Sequence, residues 1–447
     1  MRTADHKARA ERPDGRVTVN RAVPPRATFR EVFAVREFRV LWSSVVLSTA
    51  GDRLALVALT LLVYDRTGSP LLAAAAYAVG YVPWVIGGLF MAELADRRPR
   101  RSVMVVCDVA RAVLVGAMVI PHVPIGALVA LLFAATMFAP PFESAKASIT
   151  PDILQGERYV LGTAVLQTTL LLGQVAGAVG GGVAVAFLGV RPSLAIDAVT
   201  FVVSALLVGL GIRKRPAAAR RDLDQPSALA RMAVGFKLIF GDPALRTLLL
   251  FGWLVAFYTI PEGIAAPYAH KLGGGPIATG LVLASTVLST TIAVPLFTRF
   301  VRPRQRINLM GPLAILTCGS LVLTGLRPNL TISLVVFSLS AAFGVYQVAA
   351  NTAFVVRVPN ERRAQAFGIA NMGVIVGQGA AFVAAGAVAE VVSPATVIAV
   401  GGALGAVIAV VLTLRWRHVS PPGGRHAAGR RPGHAAATSS VPLREAN

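Results

Sequence analysis

Charge is scarce in this chain of 447 residues, of which 14% are Asp, Glu, Lys or Arg and 55% are hydrophobic. With a mean hydropathy of +0.67, that shortage excludes an ordinary soluble domain, in which about a quarter of the residues are charged. Cysteine is nearly absent as well. Cys107 and Cys318 both fall inside apolar runs, which excludes a disulfide framework and leaves the expectation of two buried thiols. There is no GxxxxGK[ST] phosphate loop, no His-Glu-x-x-His, no Gly-x-Ser-x-Gly and no Cys/His cluster of ligand spacing. Nucleotide-driven work, enzymatic hydrolysis and a bound metal or cofactor therefore lack their usual residues. Residues 1–28 are polar and Arg-rich without an apolar core, so no cleaved secretory leader is expected there and the first apolar run is expected to be a retained anchor.

What the chain has in quantity is membrane-length apolar sequence. A bilayer crossing takes about 20 mostly apolar residues, and twelve such runs occur. The first six are Val40 to Val63, Leu71 to Met91, Ser102 to Ile120, Ile125 to Phe142, Val160 to Phe187 and Leu194 to Ile212. The second six are Leu245 to Ile264, Ala278 to Phe297, Ile307 to Leu326, Thr331 to Val356, Ala366 to Val391 and Ala395 to Leu414. The chain carries 43 Lys and Arg against 21 Asp and Glu, a formal net charge of +22. Nearly all the basic residues fall on the side of the two termini; Arg66, Arg191, Lys271 and Arg327 are the loop residues on the other. Positive residues stay cytoplasmic, which puts both termini inside and explains the net charge without a nucleic-acid partner.

The chain also repeats itself. Phe29, Val32, Phe33 and Arg39 ahead of the first run return as Phe236, Ile239, Phe240 and Arg246 ahead of the seventh. At i, i+3 and i+4 the apolar members share a helix face, so each half is expected to begin with a helix lying on the inner membrane surface. Arg98-Pro99-Arg100 returns as Arg302-Pro303-Arg304, Glu157-Arg158 as Glu361-Arg362, Gly173-Gln174 as Gly377-Gln378 and Gly182 as Gly386, all at one constant offset. The organisation expected is a basic disordered tail (1–28), a six-helix bundle (29–212), a cytoplasmic linker ending in an amphipathic helix (213–243), a second six-helix bundle (244–414) and a second basic tail (415–447). One chain supplies both halves, so a monomer suffices. Repeated bundles of this kind hold their substrate near the midplane where the halves meet.

These features resemble the major facilitator superfamily over Phe29 to Leu414. Gly51-Asp52-Arg53-Leu54-Ala55-Leu56, the following Leu62-Val63-Tyr64-Asp65-Arg66-Thr67-Gly68-Ser69-Pro70 and Ile196-Asp197-Ala198-Val199-Thr200-Phe201 are similar to the bacterial exporter branch that includes enterobactin and macrolide efflux proteins. The resemblance implies an all-α integral membrane fold of twelve helices in two pseudo-symmetric bundles, in the bacterial cytoplasmic membrane. The activity it implies is secondary active export of a siderophore, macrolide or other drug-like molecule by alternating access, driven by proton antiport. Import of a small metabolite on the same fold, or a transport-inactive sensor or scaffold, are the alternatives. The Asp96, Arg97, Arg100 and Arg101 hairpin resembles the superfamily's motif A, with Ala92 and Pro99 at its glycine positions, which implies a cytoplasmic gate. Gly173, Gly177, Gly181 and Gly182 resemble motif C of drug antiporters, with Ala178 where that motif has proline. The fourth run lacks the membrane-embedded arginine of motif B, so Arg53 or Arg111 must replace it if protons are coupled.

An ionisable side chain at the bilayer centre costs at least about 2.5 to 3.5 kcal/mol, so it is kept when paired or used. Asp52 and Arg53 lie halfway along the first run; Asp108 and Arg111 stand one helical turn apart in the third and can form an i,i+3 pair. Proton binding at Asp52 beside Arg111 or Arg53 is one reading, a permanent packing ion pair the other. Glu262, between Pro261 and Gly263, is a candidate second proton site or outer gate, or a carboxylate solvated at the mouth. Glu143, Tyr346, Gln347 and Asn351 are candidates to line the substrate cavity, or to hydrogen-bond between helices.

Overall fold

The computed structural model describes residues 27–86, 98–215 and 228–419. Among these, all regular structure is helical, as the lack of water for unpaired N–H and C=O groups inside a bilayer requires. Ten helices among the described residues are long and apolar enough to cross a membrane, beginning with Arg36–Thr67 and ending with Pro394–Val419. Pro70–Ile86 is shorter, and Arg100–Met118 is a 19-residue helix carrying Asp108 and Arg111. In chain order spans 1 to 12 are Arg36–Thr67, Pro70–Ile86, Arg100–Met118, Ile125–Ile153, Glu157–Leu188, Val190–Gly211, Pro243–Gly263, Pro276–Phe300, Pro303–Leu326, Leu330–Arg357, Asn360–Ala389 and Pro394–Val419. The expected all-α membrane fold is the fold found.

Helix ends follow local chemistry. Thr67-Gly68-Ser69-Pro70 joins spans 1 and 2: Gly68 takes the left-handed φ of 65° that ends span 1, and Ser69 caps the Leu72 amide ahead of Pro70 in the first turn. Span 7 is broken at Leu254, Thr259 and Ile264 into four short helices between Pro243 and Lys271, the loosening that Pro261 and Gly263 foretell. Spans 4 and 10 also break, at Met137-Phe138 ahead of Pro140 and at Gly344-Val345. The surface helices ahead of each half are Phe29–Ala34, capped by Thr28, and Ala228–Gly241, on which Phe236 and Phe240 stack at 4.2 Å. Span 12 continues to Val419, beyond the expected boundary at 414, and Arg357 lies 5.0 Å over the Trp416 ring. Most of residues 1–28, the middle of the linker, 420–447, Asp96 and Arg97 lie outside the described residues.

The buried core shows how the halves meet. At the end holding the span 1–2 and span 7–8 turns, one cluster contains residues of both halves, among them Tyr77, Ala178, Ile260, Val282 and Phe382. Toward the end holding both termini the core divides into two clusters, one around Phe38, Met104 and Phe142 and one around Phe251, Met310 and Phe354. The halves are therefore packed together at one end and carry separate cores at the other. Large apolar side chains such as Phe187, Leu210 and Val391 remain exposed on the outside, the lipid-facing surface of a spanning bundle.

Candidate functional site

A polar wall is built where spans 1, 3 and 6 cross. Gly51 lets span 6 approach, because the space a Cβ would fill holds the Asp197 carboxylate and the Thr200 hydroxyl. The next residue, Asp52, forms a salt bridge with Arg111; the aspartate side chain is 41% accessible and the arginine 3%. The guanidinium also lies 4.2 Å from the Phe201 ring centroid, a desolvated cation–π contact. Asp108 accepts a 2.6 Å hydrogen bond from Ser204, whose oxygen is 2.7 Å from that of Ser44. The anticipated i,i+3 pair of Asp108 and Arg111 is replaced by a pair across helices. Asp197, fully buried, has one carboxylate oxygen without a partner among the described residues, as has Asp108.

This wall borders a cavity of about 400 Å³ lined also by Arg53, Tyr81, Trp84, Phe142, Glu143 and Gln174. Gln174 borders a second cavity too, of about 230 Å³, lined by Tyr258, Glu262, Thr286, Thr290 and Phe337 of the other half. Volumes of a few hundred Å³ suit a small organic ligand. Arg53 donates to Gln174 Oε1 at 2.6 Å, and among the described residues it forms no salt bridge. Glu262 accepts from Thr286 at 3.1 Å and from Tyr77, in the opposite half, at 3.4 Å. Glu143 is paired with Lys146 at 2.5 Å. No group of three or more His, Cys, Asp or Glu among the described residues is placed to hold a metal ion.

The remaining candidate residues are put to other uses. Tyr346 and Gln347 donate to the backbone carbonyls of Phe251 and Gly252 at 3.0 Å each, binding span 10 to span 7, and Asn351 is exposed. Gly173, Gly177 and Gly181 seat span 5 on Thr49, Ala50, Arg53 and Leu54 of span 1. Gly182 instead meets Pro276 and Gly280 of span 8, and its repeat partner Gly386 meets Pro70, Leu71 and Ala74 of span 2. Both contacts lie at the joined end. Arg100 pairs with Asp152 and Arg101 donates to the Gly209 carbonyl, both in their own half. Asp197 was not among the candidates, although an acid inside an apolar run satisfies the criterion that singled out Asp52.

Two pseudo-symmetric helical halves around a central cavity holding buried charges define a secondary-transporter architecture. The sequence profile of the Major Facilitator Superfamily matches residues 41–372 and 264–446, and the chain belongs to that family of membrane transporters. It is similar to Macrolide efflux protein A of Streptococcus pyogenes, 21% identical over 302 residues that cover 66% of this chain and 74% of that protein. The Multidrug efflux pump Tap of Mycolicibacterium fortuitum is 25% identical over 244 residues, 52% of this chain and 60% of that one. Among solved structures, the nucleoside transporter NupG superposes with a TM-score of 0.65 at 15% identity, covering 86% of this chain and 100% of that one. A bacterial homologue of the iron transporter ferroportin in an inward-facing state gives 0.64 at 16% identity, covering 87% and 99%.

Proposed function

We propose that the protein is a proton-coupled exporter of amphipathic, drug-like organic molecules in a bacterial cytoplasmic membrane, acting as a monomer with both termini inside. The observation that carries this reading is the Asp52–Arg111 ion pair, whose carboxylate faces the central cavity while its guanidinium is buried. A carboxylate placed there can bind a proton in one state of the cycle and return to the guanidinium in the other, so charge is compensated in both. With the termini inside, the joined end is the outer one and the conformation opens to the cytoplasm.

The cavity fits an amphipathic cargo. Tyr81, Trp84, Phe142 and Phe201 supply apolar faces, and Glu262 in the adjoining cavity, which forms no salt bridge among the described residues, can receive an amine. The relatives' names, macrolide efflux and multidrug efflux, point to the same class. Asp96, Arg97, Arg100 and Arg101 would form the inner gate.

The test is proton flux into proteoliposomes under an imposed pH gradient, with a panel of macrolides and siderophores. Cargo-triggered flux in the wild type that falls at least tenfold in Asp52→Asn supports the reading. Equal flux in both proteins removes Asp52 from coupling, and cargo uptake against the expected direction makes the protein an importer.

A further inference from the structure

Three carboxyl groups, Asp52, Asp108 and Asp197, lie within electrostatic reach of one guanidinium, that of Arg111. Arg111 bonds to Asp52, and Asp108 is served by Ser204. Asp197 has almost nothing. Its Oδ2 has no partner among the described residues, and its Oδ1 sees the Thr200 hydroxyl at 3.3 Å, although that hydroxyl also points at the Asp197 backbone carbonyl at 2.8 Å. An ionised carboxylate out of water needs donors or a cation, and this one, fully buried, has neither to itself.

The groups facing Asp197 come from each element packed on span 6. Span 1 presents Asp52 and span 3 presents Arg111, while Asp108, also on span 3, bonds to Ser204 on span 6. Span 4 presents Glu143, which lines the same cavity as Asp52 and is already neutralised by Lys146. Span 5 carries no titratable side chain between Val160 and Leu188, and Arg53 is engaged by Gln174. Arg53 acts on Asp52 through space, but among the described residues Arg111 is the guanidinium that forms a salt bridge with one of these acids; the acids therefore compete for that one bond, and the ligand that relieves the competition without adding bulk is a proton.

We propose that Asp197 is a proton store that trades places with Asp52 on Arg111 during the cycle, a refinement that rests on the proton-coupled reading above. In the conformation seen here Asp197 is neutral and Asp52 is the ionised partner of Arg111. In the exchange the Asp197 O–H bond breaks and an Asp52 O–H bond forms. Asp52, now neutral, leaves the guanidinium, and the Asp197 carboxylate replaces it, so the net charge of the wall is the same before and after. The path is short because the Asp197 carboxylate rests against the backbone of Gly51, beside Asp52. Asp52, 41% accessible at the cavity wall, loads and releases the proton, and Asp197, at the edge of the same cavity but fully buried, keeps it.

Infrared spectroscopy of the full chain in lipid, without cargo, reads this directly. At neutral pH the wild type is expected to show a protonated-carboxyl band that shifts when aspartate is carboxyl-labelled with 13C, and that is lost in Asp197→Asn. The same band is expected to be lost in Asp52→Asn, where Arg111 is free to ionise Asp197. Should Asp197→Asn fail to fold, the labelled wild type and Asp52→Asn still decide the matter. The absence of a labelled aspartic-acid band in the wild type overturns the proposal, as does a band that survives unchanged in Asp52→Asn, which would make Asp197 a static neutral group. Cargo-driven proton flux without the band sinks the store and leaves antiport standing. The band without any flux supports the store and removes antiport.

Discussion

Arg111 is the residue on which the polar wall depends, because three acids surround it and its own side chain is 3% accessible. Removing one member of a buried pair leaves its partner uncompensated, at a cost of about 3–5 kcal/mol. Arg111→Met is therefore expected to lower the thermal unfolding midpoint in detergent, at the lower end of that range because Asp52 still reaches the cavity. The double variant Asp52→Asn/Arg111→Met should recover part of the loss; strictly additive losses would show that the pair is not coupled. At this scale the sequence was half legible. Asp52 and Arg111 stand out because charge is costly in an apolar run, but i,i+3 spacing cannot tell whether Arg111 turns to Asp108 on its own helix or to Asp52 on another. Asp197 is as anomalous as Asp52, but its run from Leu194 to Ile212 holds no basic residue to draw attention to it, and the cation near it comes from another helix.

Between helices, the joined end is held by contacts that cross from one half to the other. Glu390, past the end of span 11, accepts from the Ser69 hydroxyl at 2.5 Å and the Leu71 amide at 3.0 Å, so it caps span 2 from the opposite half. The Ser69 hydroxyl, and then the Leu71 amide, hold its carboxyl below the usual glutamate range. A carboxyl whose acidity is increased by a contact favours that contact above its ordinary range, and the contribution is lost as pH falls through the lowered value. Acid on that side should thus loosen the joined end, and Glu390→Gln should loosen it at neutral pH and abolish the acid response. Spin labels across spans 2 and 11 would report both as longer distances; an unchanged distribution would deny Glu390 a latching role. The elements themselves were largely legible: run length and end residues foretell the spans, and Pro261 with Gly263 the broken seventh. Which helix face meets which neighbour was not. Four glycines in span 5 look alike in sequence, yet three seat span 1 and the fourth, Gly182, seats span 8, a division decided by tertiary packing.

For the whole molecule, a core shared at one end and divided at the other describes one state of a rocking pair. Thr290 lines the cavity, while the native thiols Cys107 and Cys318 are 3% and 0% accessible. Thr290→Cys is therefore expected to react with a membrane-impermeant thiol reagent from the side of the termini. Adding Gly182→Leu, which collides with Pro276 and Gly280 at the joined end, should shift labelling toward the opposite face. Reaction from both faces alike in the single variant would contradict the conformation. The two halves, finally, are unequal heirs of one duplication. Gly182 and Gly386 are kept in both copies as bearing surfaces, whereas the positions matching Asp108, Arg111 and Asp197 hold Pro312, Ile315 and Gly401. Mutational drift in the second copy is thus free to reshape cargo preference without touching the charge machinery, so relatives that diverge in cargo should differ more in that half than in the first.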